Sequence, residues 1–125
     1  MKRLIGLFLV VVVCSCSDSN SLKPQEFQHR IASTPDAVVI DVRTPKETYT
    51  TGIIEGALVS DYKSGEFATS IAEFDKSKTY FVYCASGMRS SEAANLLTKE
   101  GFEKVFILDG GTKAWEKEEL PLVQR

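Results

Sequence analysis

The sequence predicts an α/β fold, a small parallel sheet flanked by helices on both faces. Three observations predict it. Ala37–Ile40 is a continuous β-branched run, as expected of a strand buried on both faces, Thr79–Tyr83 is a second apolar strand and Lys104–Leu108 a third. Segments with apolar residues at helical spacing lie between them. Strands that alternate with helices of about ten residues imply a parallel sheet.

The elements follow in order. Lys2 and Arg3 make a basic start, and Leu4–Val13 is an apolar run. It is too short to span a membrane as a helix, which needs about twenty residues. It suits the apolar core of a signal peptide. Val13-Cys14-Ser15-Cys16 resembles the lipobox of bacterial lipoproteins, with Cys16 as the acylated residue because the small Ser15 precedes it. Residues 1–15 are then a lipoprotein signal peptide. Residues 16–23, rich in Ser, read as a flexible tether, and 24–125 is the domain.

Pro24 opens a helix through about Ala32, with Phe27, Ile31 and Ala32 on one face. The strand Ala37–Ile40 ends in Asp41. Pro45–Thr51 reads as a short helix or turn, followed by Gly52-Ile53-Ile54 and Gly56-Ala57-Leu58-Val59. Ser64–Phe74 reads as a helix that turns Phe67, Ile71 and Phe74 to one side. Thr79–Tyr83 is the second strand, ending at Cys84. Ser90–Lys99 is a helix with Ala93, Ala94 and Leu97 inward, stopped by Gly101. Lys104–Leu108 is the third strand, and Thr112–Glu119 a last helix that carries Trp115. Ligands in such folds bind beyond the carboxyl ends of the strands, which puts Asp41, Cys84 and Asp109 at the functional edge.

Composition narrows the classes. The 125 residues are 43% hydrophobic and 26% charged, an ordinary globular balance. A formal charge of −2 lacks the basic excess of a nucleic-acid binder. Loss of Lys2 and Arg3 with the signal peptide leaves 13 basic against 17 acidic residues, a charge of −4. Three cysteines cannot all pair. Cys14 is discarded and Cys16 carries lipid, which leaves Cys84 as the one thiol of the mature domain. No metal or organic cofactor is expected, because His29 reads as a surface helix residue and the carboxylates are scattered.

Cys84-Ala85-Ser86-Gly87-Met88-Arg89 joins a buried strand to a helix. Backbone N–H groups at a helix start lack intrahelical partners, and with the helix dipole they favour an anion. A Cys placed first in such a loop has its thiolate stabilised. Arg89 is read as the nearby cation, with a planar fork able to hold an oxyanion. Gly87 lets the loop curl where a side chain would meet a bound group. Ala85 and Ser86 leave the pocket open.

These residues resemble the rhodanese-like sulfurtransferase family in its single-domain form, over about Phe27 to Leu122. Asp41-Val42-Arg43-Thr44-Pro45-Lys46-Glu47 resembles the first motif of the family. Gly52-Ile53-Ile54-Glu55-Gly56-Ala57 resembles its Gly-His-Ile-x-Gly-Ala segment, with Ile53 in place of the usual His. One extra residue stands between Glu47 and Gly52. Val82–Ser91 resembles the active-site loop. Leu108-Asp109-Gly110-Gly111-Thr112-Lys113-Ala114-Trp115 with Leu120-Pro121 resembles the C-terminal signature.

The resemblance implies a rhodanese-like fold and sulfur transfer in two steps. Cys84 would take a sulfane sulfur from a small donor such as thiosulfate, becoming a persulfide, and give it to a thiol or cyanide-like acceptor. Ala85, Ser86, Gly87, Met88 and Arg89 would bind substrate, the loop N–H groups acting as an oxyanion hole does. Asp41 and Arg43 would pair at the strand end and brace the loop. The domain would face the periplasm or the exterior on its lipid anchor, with no nucleic acid and no obligate protein partner.

A different class is a non-enzymatic persulfide carrier or binding module of the same fold. A Cys-based phosphatase would resemble Cys-x5-Arg, whereas four residues separate Cys84 from Arg89, a shorter ring that suits a single sulfur atom. A Cys-x-x-Cys redox mechanism is excluded, because no second Cys lies near Cys84.

Overall fold

The computed structural model describes residues 20–125. The expected signal peptide, with Cys14 and the lipid-bearing Cys16, lies outside the described residues.

Five strands form one sheet: β1 (Ser21–Leu22), β2 (Ala37–Asp41), β3 (Leu58–Val59), β4 (Thr79–Tyr83) and β5 (Val105–Leu108). Their order is β1-β5-β4-β2-β3, and every pairing is parallel. The helices are α1 (Pro24–Ser33), α2 (Pro45–Thr51), α3 (Glu66–Ser70), α4 (Met88–Lys99) and α5 (Gly111–Lys117), with a 3-10 turn at Ile71–Glu73. This is the expected rhodanese-like α/β architecture.

The central strand β4 shows why the apolar runs do not alternate. All five of its residues are buried. Successive side chains point to opposite faces, and both faces are covered. Tyr80 and Val82 pack with Phe67, Ile71, Ala93 and Leu97 beneath α3 and α4. Phe81 and Tyr83 pack with Phe27 and Trp115 beneath α1 and α5. Phe27 stands edge-on to Phe81 at 5.6 Å and to Trp115 at 6.4 Å between ring centres, the arrangement that aromatic quadrupoles prefer.

Three expectations change. The tether does not extend to residue 23. Ser21–Leu22 pairs with Ile107–Leu108, and the Asp109 N–H donates to the Leu22 carbonyl at 2.8 Å. Two residues are too few to announce a strand by composition, and β5 supplies the partner. The helix read over Ser64–Phe74 starts later, because Gly65 takes φ +86°, and its end tightens into the 3-10 turn. Ala32 is exposed, so Phe27 and the half-buried Ile31 carry the inner face of α1.

The C-terminal tail closes back on the domain. Ile53 and Val123 form an antiparallel bridge, with N–H to carbonyl distances of 2.9 and 2.7 Å. A Cβ on Gly52 would stand 2.7 Å from the Val123 carbonyl oxygen. The indole N–H of Trp115 donates to the Pro121 carbonyl at 2.9 Å.

Candidate active site

Cys84 follows the last residue of β4 and is fully buried. The chain then turns through Ala85–Gly87 into α4, whose cap residue Gly87 takes φ +109°. The requirement for glycine there is conformational, since a Cβ would find only the Gly110 nitrogen, at 3.8 Å. The turn aims the Gly87 N–H at Cys84 Sγ, 3.0 Å away. Ser90, in the first turn of α4, places its Oγ 3.5 Å from the same sulfur.

These contacts decide the ionisation of the thiol. Burial pushes its pKa up. Hydrogen bonds from the Ser90 side chain and from the backbone of Ser90, Gly87 and Ser86 outweigh burial, and the pKa lies below the ordinary thiol value. The site therefore favours a buried sulfur anion.

The outer carbonyls of the loop are satisfied from α5. The Thr112 N–H donates to the Cys84 carbonyl at 2.9 Å, and the Lys113 N–H to the Ala85 carbonyl at 3.1 Å. The first-turn donors of α5 thus hold the carbonyls outward. This docking needs a bare backbone at Gly111, whose φ is +62° and where a Cβ would stand 2.4 Å from the Ala85 carbonyl carbon.

Arg89, expected as the cation near the thiolate, is paired with a carboxylate. Its NH1 and NH2 groups donate to Oε1 and Oε2 of Glu47 at 2.8 and 2.9 Å. Glu47 is also the third residue of α2, in a capping box with Thr44. The Arg89 hydrogen bond is the main reason that the Glu47 carboxyl is held down to about 2. The guanidinium is accordingly raised, first through Glu47 and more weakly through the fields of Cys84 and Asp41.

Asp41 and Arg43 form a buried ion pair, with Arg43 Nη2 2.7 Å from Oδ2. Arg43 also donates to Thr51 Oγ1 and the Gly52 carbonyl, both at 2.7 Å. The pair braces the end of α2 against β2, and its guanidinium lies over the ring of Tyr83, the residue before Cys84. The Ile54 N–H donates to the Tyr83 hydroxyl at 2.9 Å, which ties the Ile53 segment to β4.

Asp109 is exposed beside the loop. With Ser86, Gly87, Met88, Ser91 and Ile107 it lines a cleft of about 480 Å³. Met88 is 76% exposed at its rim. Among the described residues no group of three His, Cys, Asp or Glu side chains is placed to hold a metal ion.

Asp41, Cys84 and Asp109 thus all follow or end strands at one edge of the sheet, while their side chains take different tasks. The sequence reading missed Glu47, Ser90 and Gly111. Ser90 sits one residue past Arg89 and carried no separate signal. Thr44-Pro45-Lys46-Glu47 has the spacing of a helix start, which alone accounts for Glu47 in the sequence.

Comparison with known proteins agrees with this geometry. The Rhodanese-like domain family matches residues 23–118. A protein named sulfurtransferase from Allochromatium vinosum is 33% identical over 104 residues, covering 83% of this chain and 94% of that protein. YibN of Escherichia coli strain K12, an uncharacterized protein, is 39% identical over 100 residues, covering 76% of this chain and 66% of its own length. Among solved structures, a rhodanese-related protein from Thermoplasma volcanium superposes with a TM-score of 0.74 at 25% identity, covering 85% of this chain and 99% of that one. A Rhodopseudomonas palustris protein of unknown function, described as a possible tyrosine phosphatase, reaches 0.70 at 27% identity, covering 83% of this chain and 84% of that one. The chain belongs to the rhodanese-like domain family.

Proposed function

We propose that this protein is a sulfurtransferase that moves a sulfane sulfur from a small thiosulfate-like donor to a thiophilic acceptor through a persulfide on Cys84. The Gly87 N–H at 3.0 Å from Cys84 Sγ carries the reading. It gives a buried sulfur anion a donor that needs no rearrangement. The sulfurtransferase name of the Allochromatium relative points the same way.

The thiolate attacks the outer sulfur of thiosulfate. The new bond is Sγ–S, the broken bond is S–S within the donor, and the electron pair leaves with sulfite. The terminal persulfide sulfur, an anion, takes the N–H environment of Ser86–Ser90. Cyanide or a thiolate then attacks that sulfur. Thiocyanate, or a new persulfide, departs and the Cys84 thiolate returns. This is covalent, ping-pong catalysis. A fully buried sulfur favours small donors.

In the same reading Cys16 carries lipid and the domain faces the periplasm or exterior, supported by Lys2-Arg3, the Leu4–Val13 run and the lipobox. The test of the transfer is intact-mass spectrometry after incubation with thiosulfate. The expected result is one added sulfur atom, absent in Cys84→Ser and released by cyanide as thiocyanate. A protein that gains no sulfur from any small donor is instead a binding module.

A further inference from the structure

Arg89 closes the loop that begins at Cys84, yet its fork faces Glu47, 42 residues earlier in the chain. Glu47 is also held by its own helix cap, since the Thr44 hydroxyl and N–H both donate to Oε1. The carboxylate is thus a rigid clamp between the N-termini of α2 and α4. We infer that Glu47 is a positioning residue that fixes Arg89 beside the Cys84 loop and cancels its charge there, so that the sulfur anion depends on backbone N–H groups and Ser90 rather than on a guanidinium. The inference rests on Cys84 being the nucleophile.

The neighbouring charges do not replace Arg89. From β2 and the residues after it, Asp41 and Arg43 are already paired. From β4, the buried Tyr83 phenol is pushed far up, first by burial and then by Asp41, and stays neutral. After β3, Asp61 accepts the Lys63 N–H, while Tyr62 is raised by its bond to Glu92. On α5, Lys113 is exposed. Asp109 is exposed in the cleft with Ser86 and Gly87, and Lys46, Lys113 and Glu116 are exposed around the cavity that Glu47 and Ala85 line. The half-buried Glu47–Arg89 pair lies further from solvent than these. A pair of net charge zero leaves the sulfur anion to the Gly87 N–H and the Ser90 hydroxyl.

The test is the pH profile of Cys84 alkylation by iodoacetamide in the full chain, read on the Cys84 peptide by mass spectrometry so that Cys14 and Cys16 do not contribute. Glu47→Gln keeps an acceptor for the cap and removes the cancelling charge. Its inflection should move down by about one pH unit. Arg89→Gln leaves Glu47 uncompensated and should move it up by a similar amount. The Glu47→Gln/Arg89→Gln double variant should return near the parent. A folded Glu47→Gln with an unchanged or raised inflection overturns the inference. So does a double variant displaced as far as Arg89→Gln alone, which also decides the matter should Glu47→Gln not fold. Alkylation needs no sulfur donor. A protein that shows these shifts and gains no sulfur from any small donor refutes the transferase reading and leaves this one standing.

Discussion

Gly111 lies so close beneath Ala85 that a Cβ on it would stand 2.4 Å from one loop atom and 2.5 Å from the Ala85 and Cys84 carbonyl oxygens. The two residues are 26 positions apart in the chain. Their contact lets α5 donate hydrogen bonds to the loop carbonyls while the Gly87 N–H donates to Cys84 Sγ.

Gly111→Ala tests that contact. The left-handed φ of +62° costs a non-glycine residue about 1–2 kcal/mol, and the backbone clash adds to it. We expect more than about 2 kcal/mol of destabilisation in urea, with loss of sulfur transfer. A variant of parental stability would show that the loop does not need α5 this close.

Ser90→Ala removes the hydroxyl beside Cys84 Sγ. The folded thiol lies below its ordinary value, so its reactivity rises with pH through an inflection below that of free cysteine. Without Ser90 the inflection moves up toward the free value of ~8.5, and the alkylation rate near neutral pH falls severalfold. An inflection unmoved by this change would leave the backbone donors alone responsible.

The Glu47–Arg89 pair gives an acid signature. A carboxyl held at about 2 against an ordinary 4.5 contributes stability that is present above 4.5 and is lost as pH falls through 2. The Glu47 side chain is 32% exposed, so screening limits the contribution to about 1–2 kcal/mol. Parent and Glu47→Gln should therefore differ most at neutral pH and converge between pH 4.5 and 2 in denaturant titrations. A gap that widens toward acid contradicts this sign.

Arg43→Met strands the Asp41 carboxylate in the interior. Breaking a buried pair from one side costs about 3–5 kcal/mol, and Thr51 and Gly52 lose their donors as well. The Asp41→Asn/Arg43→Met double variant should recover part of that loss. Thermal and urea unfolding of the single and double variants measure the recovery.

Ile53→His restores the usual residue of the family segment. The bridge to Val123 is made by Ile53 backbone atoms, and the side chain is only half-buried. Stability should change by less than about 1 kcal/mol, and the rate of sulfur loading should stay within a few-fold of the parent.

Much of the fold was legible in the chain. The unbroken apolar character of Thr79–Tyr83 announces a strand covered on both faces, and Phe27, Phe67 and Leu97 mark the helix faces that cover it. The ends of elements were less legible. Ser21–Leu22 becomes a strand only because β5 has a free edge, and Gly65 shortens α3 through a left-handed turn that its neighbours do not signal. At the site, Cys84, Gly87 and the helix after them follow from local order. Ser90 does not, since serine early in a helix is ordinary.

The sequence by itself determined the parallel α/β class, the family, and a cysteine at the junction of a buried strand and a helix. Those features depend on residues within one element or its immediate neighbours, where periodicity and turn chemistry act. Only the tertiary structure decided which anion Arg89 meets. Its partner Glu47 comes from another helix, and a long cation turns to whichever anion the packing brings within reach. The same packing sets Gly111 under Ala85.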